Sequence, residues 1–232
     1  MCFYLGKGEQ VTLHTWNVTY KEARELQQKL RAMLILTADE VYCDTIAGAD
    51  VAYNNKQNKC IAACVLYSIK EQKIIETAVA VERITFPYIP GLLSFREAPA
   101  VLQAFKKLKG TFQAAMLDGH GFAHPRRLGL ASHVALWIGK PTIGCAKSKL
   151  IGKFETPPDK AGSWTELHDK GEIIGVVLRT KKNTKPVFIS IGNAVSLAQA
   201  IVLTLQCTTR YRIPEPIRAS HNLLNQHKRI IS

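Results

Sequence analysis

"TIAGADVAYNNKQNKCIAACVLYSIKEQKIIETAVAVERI", Thr45 to Ile84, holds three apolar runs separated by two short polar breaks. The runs Thr45–Asn54, Lys59–Ile69 and Lys73–Ile84 are short and apolar and read as strands. The breaks "NNKQNK" and "KEQK" suit hairpin turns. Three strands joined this way make an antiparallel meander. One residue breaks the pattern: Asp50, in "IAGADVAY", has only small or apolar neighbours. A carboxylate buried there is unfavourable unless it is paired or bound to a cation.

Upstream, "TYKEARELQQKLRAML" (Thr19–Leu34) places Ala23, Leu26, Leu30 and Leu34 at near-helical spacing. Downstream, "SFREAPAVLQAFKKL" reads as a helix, with Ser94 and Glu97 at capping-box spacing. "FQAAMLD" then reads as a strand, "RRLGLASHVALWIG" as a helix and "PTIGCA" as a strand. "TELHDKGEIIGVVLRT" suits a hairpin, "VFISIG" a strand, "NAVSLAQAIVLTLQC" a helix and "PEPIRASHNLLNQHKR" a final basic helix. Three hairpin strands followed by alternating helix and strand imply an α/β chain with a mixed sheet covered by helices. By analogy this is the order of ribonuclease H-like folds. The 232 residues are expected to form one domain, with its core at about 40–210 and the N-terminal and C-terminal helices packed on it.

Lys and Arg number 31 against 18 acidic residues, a net charge of +13 that favours a polyanionic partner such as nucleic acid. The cysteines Cys2, Cys43, Cys60, Cys64, Cys145 and Cys207 include no CxxC pair, so reduced thiols and a cytoplasmic location are expected rather than disulfides or zinc. No apolar run is long enough to span a membrane, and "MCFYLGKGEQ" lacks a secretion pattern.

The chemistry concentrates in "LDGHGFAHPRRLGLASH" (Leu117–His133), where Asp118 ends an apolar strand and a glycine-rich basic loop follows. Asp50 and Asp118 on neighbouring strands would repel unless a hard cation lay between them, and Mg²⁺ accepts such oxygen ligands together with water and phosphate. Glu97 is either a first-turn helix residue or a holder of metal-bound water; spacing does not decide. Tyr88, between Pro87 and Pro90, is either folded onto the core or a stiffened aromatic able to stack on a base, and Gly91 lets a ligand approach the backbone. Lys147, Lys149 and Lys153 follow a strand end, where phosphate contact is reasonable.

"GADVAY" (48–53), "PYIPGLLSFREAP" (87–99), "LDGHGFAHPRRLGLASH", "GCAKSKL" (144–150) and "YRIPEPIRASH" (211–221) together resemble the endonuclease V family, in the family's order. The resemblance implies a ribonuclease H-like core that cuts DNA, or in some members RNA, at the second phosphodiester bond 3′ to inosine. It implies Mg²⁺ as cofactor with Mn²⁺ able to substitute, and 3′-hydroxyl and 5′-phosphate products; separately, a monomer is expected. Asp50 and Asp118 match the metal-binding aspartates, with Glu97 acting through metal-bound water. Lys147 matches a lysine near the scissile phosphate, and His221 an active-site position. Tyr88 matches the wedge, while Gly91, Leu93, Gly119, Gly121 and Leu150 fall where the family builds its hypoxanthine pocket. The chain departs from the pattern at Gly192-Asn193, where many members carry Gly-His. That departure leaves open a binding module with little cleavage; an inosine-specific ribonuclease is a further alternative.

Overall fold

The computed structural model describes residues 3–5, 9–38 and 42–231, so Cys2 lies outside the described residues. A small antiparallel ladder, β1 (Phe3–Leu5) with β2 (Glu9–Val11), precedes helix α1 (Tyr20–Arg31). Thr19 caps α1 in a reciprocal box with Glu22, which satisfies two of the orphan N–H groups at its start.

The meander forms as expected: β3 (Thr45–Asn54), β4 (Lys59–Ser68) and β5 (Lys73–Arg83) pair antiparallel. Asn58 and Gln72 take left-handed φ of 52° and 53° in the two turns. Strand β4 lies between its neighbours and is almost wholly buried, whereas the edge strand β5 alternates exposed and covered positions. Helix α2 (Leu93–Lys107) follows, then β6 (Ala114–Leu117), α3 (Leu130–Ile138) and β7 (Thr142–Ala146). The chain continues through the hairpin β8 (Trp164–Asp169) and β9 (Glu172–Leu178), then β10 (Val187–Asn193), α4 (Leu197–Gln206) and α5 (Glu215–Ile231).

These strands form one eight-stranded sheet in the order β5-β4-β3-β6-β7-β10-β9-β8. Only β3-β6 and β6-β7 are parallel pairs. Alternation along the central strands sends Ala47, Ala49 and Leu117 to a core shared with Val101, Val134 and Trp137 of α2 and α3. The opposite face, with Ile46, Met116 and Ile143, packs on Leu203 and Ile217 of α4 and α5. Each fully buried side chain of this size contributes about 1.5–3 kcal/mol of hydrophobic stabilisation. This is the helix-flanked α/β sheet of a ribonuclease H-like fold. Among the described residues, no helix is long and apolar enough to cross a membrane.

Helix α3 starts at Leu130 rather than at Arg126. Arg127 adopts a left-handed φ of 58°, and its guanidinium donates to Asp169 Oδ2 at 2.9 Å and Glu172 Oε2 at 2.7 Å. That pairing fastens the segment to the β8–β9 hairpin and keeps it out of the helix. Gly48 performs a different service. A Cβ there would lie 2.3 Å from Pro216 O, so its absence lets α5 lie directly against β3.

Candidate active site

Ala49 of β3 stands opposite Leu117 of β6, and the Asp118 N–H donates to Ala49 O at 3.0 Å. The next residues, Asp50 and Asp118, therefore stand side by side, close enough for the charge of Asp50 to act on Asp118. Asp50 is only 9% exposed; its Oδ1 accepts the Val51 N–H at 2.8 Å. His221 comes from the face of α5 seated by Gly48, and its Nδ1 lies 2.8 Å from Asp50 Oδ2. The distances match: two residues along a strand advance about 7 Å, and five along a helix about 7.5 Å. Lys147, just past β7, donates its ammonium to Asp118 Oδ2. Burial and the charge of Asp50 raise the Asp118 pKa, and Lys147 opposes them. Burial works against the Lys147 ammonium, but Asp118, with Asp50 behind it, keeps its pKa above the usual value.

Glu97 reaches the same centre from α2. It is 7% exposed, and the Tyr53 hydroxyl donates to its Oε1 at 2.5 Å. Burial pushes its carboxyl up to about 7; the Tyr53 bond pulls the other way, and the charges of Asp50 and Asp118 add to the rise. The capping-box reading of Glu97 does not hold. Leu92 is the cap residue of α2 and no side chain caps it, because Ser94 is buried and bonds His133 Nδ1 at 2.9 Å instead.

Three acidic groups in mutual electrostatic contact, two of them raised in pKa, form a centre short of positive charge. The donors are oxygens, which suit Mg²⁺ or Mn²⁺ over softer metals. Among the described residues, no three or more His, Cys, Asp or Glu side chains close on one metal point. The chain thus offers a pair of carboxylates with a third nearby, leaving other coordination positions to water and phosphate, as is usual for Mg²⁺.

Against this centre lies a cavity of about 170 Å³, walled by Tyr88, Gly91, Leu93, Gly119 and Leu150, with Asp118 itself in the wall. It is smaller than the roughly 300–1,000 Å³ of clefts for drug-sized ligands, a size suited to a single flat heterocycle. Larger and shallower hollows elsewhere contain none of the three carboxylates. Tyr88, 68% exposed, and Leu150, 46% exposed, are the large apolar side chains of the wall most open to solvent. Gly121 is not part of the wall. It packs beneath the loop, its N–H donates to Ser190 Oγ at 2.9 Å, and an added Cβ would meet Ile191 O at 2.1 Å.

Nothing in the sequence singles out the residues that hold this cavity open. The Gly91 carbonyl accepts from Gln27 Nε2 and His124 Nε2, each at 3.0 Å, and from the Arg126 guanidinium at 2.5 Å. Burial, with the Arg126 charge, pulls the His124 pKa down to about 3, so it is a neutral donor. Behind the wall, His14 Nδ1 lies 2.8 Å from the Thr15 carbonyl and must donate to it. His14 Nε2 then accepts from His133 Nε2 at 2.7 Å, which leaves His133 Nδ1 to accept from the Ser94 hydroxyl. Burial lowers the pKa of both histidines, so the chain of tautomers is fixed.

The three lysines after β7 part company: among the described ion pairs only Lys147 meets a carboxylate, while Lys149 lies over the Phe154 ring and the Lys153 backbone bridges His168. Asn193 has a structural task. Its Oδ1 accepts the Ile35 N–H at 2.7 Å, tying the segment after α1 to β10.

The family model for Endonuclease V matches residues 24–222. Endonuclease V of Roseiflexus sp. (strain RS-1) is 45% identical over 215 residues, 93% of this chain and 96% of that protein. The crystal structure of Endonuclease V from Streptomyces avermitilis superposes with a TM-score of 0.89 at 38% identity, covering 93% of this chain and 96% of that one. A Ciona intestinalis Endonuclease V in complex with a 23mer DNA containing an inosine followed by a ribo-adenosine is 26% identical, with a TM-score of 0.82 over 93% of this chain and all (100%) of that one. With its carboxylate pair standing against a base-sized cavity, the chain belongs to the endonuclease V family of nucleases.

Proposed function

We propose that the chain is a divalent-metal-dependent endonuclease that recognises inosine in a DNA strand and hydrolyses the second phosphodiester bond on its 3′ side, leaving a 3′-hydroxyl and a 5′-phosphate. One observation carries the reading: Asp118 belongs both to the carboxylate pair and to the wall of the 170 Å³ cavity. The relative from Ciona, bound to inosine-containing DNA, supports the same substrate.

Asp50 and Asp118 hold the cation in this reading, and Glu97 orients a water beside it. A bound Mg²⁺ or Mn²⁺ would supply Lewis-acid polarisation of the phosphate and an acidified water. Lys147 offsets charge developing on the phosphate oxygens. His221 orients Asp50 through their 2.8 Å contact. Tyr88 fills the gap left in the stack when the base turns out. Inosine pairs weakly, so the unstacking penalty of a few kcal/mol is lower for it. Gly91, Leu93, Gly119 and Leu150 enclose the extruded base; Gly121 supports the loop from below. The neutral His124 and the clamped Gly91 carbonyl keep the wall rigid, which limits what the cavity accepts. A single, monomeric domain serves this activity, with α1 and α5 packed on the core. The free, mostly buried cysteines Cys43, Cys60, Cys64, Cys145 and Cys207 suit a reducing cytoplasm.

The test is cleavage of end-labelled strands carrying one inosine, in DNA and in matched RNA, with Mg²⁺ and with EDTA. The reading expects one product at the second bond 3′ to inosine, dependent on the cation and lost in Asp118→Asn. Intact but bound strand in Mg²⁺ would instead establish a binding module, and cutting of RNA alone a ribonuclease.

A further inference from the structure

The cavity accounts for one nucleotide, yet the charge excess of +13 is spread over far more of the molecule. One concentration of it involves no residue given a part in the carboxylate centre or the base cavity. Lys181, Lys182, Arg210, Tyr211, Arg212 and Arg218 line an open cleft of about 680 Å³ between the β9–β10 loop and the segment entering α5.

Register fixes where this cleft lies. Phe188 of β10 pairs with Ala146 of β7, so Val187, where the β9–β10 loop ends, stands opposite Lys147. On the other side Arg218 precedes His221 by three residues on α5, a spacing that puts both on one helix surface. Two separate elements, β10 and α5, thus run from the cleft toward the carboxylate centre. It is also held in shape: Thr180 Oγ1 donates to Arg212 O at 2.7 Å, and the Arg212 guanidinium donates to the Lys185 and Pro186 carbonyls at 3.3 Å each.

Its charge is largely uncompensated. Glu215 pairs with Arg218, at 2.5 Å. Among the described ion pairs, none joins a carboxylate to Lys181, Lys182 or Arg210. Tyr211 is 47% exposed, and two guanidiniums lie near its ring, Arg210 at 5.5 Å and Arg218 at 4.8 Å from the centroid. Cations along a groove with an aromatic face among them are the ingredients of a single-strand backbone track with a stacking platform.

We infer that this cleft seats the phosphodiester backbone of the substrate strand on one flank of the cut, with Lys181, Lys182 and Arg210 on phosphates and Tyr211 stacked on a base. The inference rests on the nucleolytic reading above and extends the contact surface beyond the base cavity and the scissile bond.

The experiment compares the intact protein with a Lys181→Ala/Lys182→Ala/Arg210→Ala triple variant, and separately with Tyr211→Ala. Binding of inosine-bearing strands is measured by fluorescence anisotropy across a salt series. One strand ends close to the lesion on both sides, and the other extends it by about 16 nucleotides each way. Losing three phosphate contacts should lower the salt slope by about 2, equivalent to about 50-fold weaker binding of the long strand near 0.15 M salt. Short-strand affinity, the rate of cutting at saturation and the melting temperature should stay at wild-type values. Tyr211→Ala should weaken the long strand alone, with its salt slope unchanged. An unaltered slope on the long strand, or equal losses on both strands, would overturn the inference. A wild-type protein that leaves inosine strands uncut would instead overturn the nucleolytic reading, because the salt slope is read without cleavage.

Discussion

Replacing Glu97 by Gln isolates the electrostatic cost of the centre when no cation is bound. The Glu97 carboxyl is 7% exposed, and burial above all pushes it up to about 7 from the ordinary 4.5. Between those two values the folded chain keeps a proton that the unfolded chain has released. Stability from this group is therefore full below 4.5, falls as the pH rises through 7 and is flat above. At about 1.4 kcal/mol per pH unit the loss is about 3 kcal/mol. For a chain of this size that is about 6–12 °C in melting temperature. Gln keeps an oxygen for the Tyr53 hydroxyl and carries no charge. In EDTA the variant should melt about 6–12 °C higher relative to wild type at about pH 8 than at about pH 4.5. Mn²⁺ should narrow that gap, because it stabilises the ionised wild-type centre. Thermal melts at a series of pH values provide the readout. A wild type and variant separated by the same interval at both ends of the series would refute the reasoning.

Three further outcomes follow from other contacts. Gly121→Ala forces a Cβ to within 2.1 Å of Ile191 O, so denaturant melts should show a loss of about 3 kcal/mol or more; a loss below 1 would contradict the packing. Tyr88→Ala removes the exposed aromatic of the cavity wall and should weaken inosine-strand binding by about 1–3 kcal/mol, roughly 5- to 150-fold, leaving undamaged strands nearly unaffected. His14 and His133 are held neutral by burial, below the usual 6.5, so their contribution is present above that value and fades as the pH falls beneath it. Acid unfolding followed by circular dichroism should accordingly be less steep in His133→Gln than in wild type.

The parts legible in the sequence were those that break a local rule. Asp50 and Asp118 were visible as charges inside or at the end of apolar runs, and the structure puts them on adjacent strands. The meander was visible through its short apolar runs and the polar breaks between them. The β8–β9 hairpin was visible in "TELHDKGEIIGVVLRT", and the structure turns it at Lys170 and Gly171, with φ of 53° and 77°. What escaped depends on partners far away in the chain. Ser94 has the spacing of a cap but is drawn to His133, 39 residues on. Arg127 looks helical yet is held by Asp169 and Glu172. Gln27 reaches Gly91 across 64 residues, and no periodicity marks it. The family resemblance implies a pocket role for Gly121; the close approach of Ile191 shows that this glycine serves packing.

The most direct test of the carboxylate centre is a crystal soaked in Mn²⁺ and measured for anomalous scattering. The account predicts a peak in contact with both Asp50 and Asp118, with Glu97 within reach of a bound water, and its loss in Asp118→Asn. No peak at that point, or one bound elsewhere while the enzyme remains active, would contradict it.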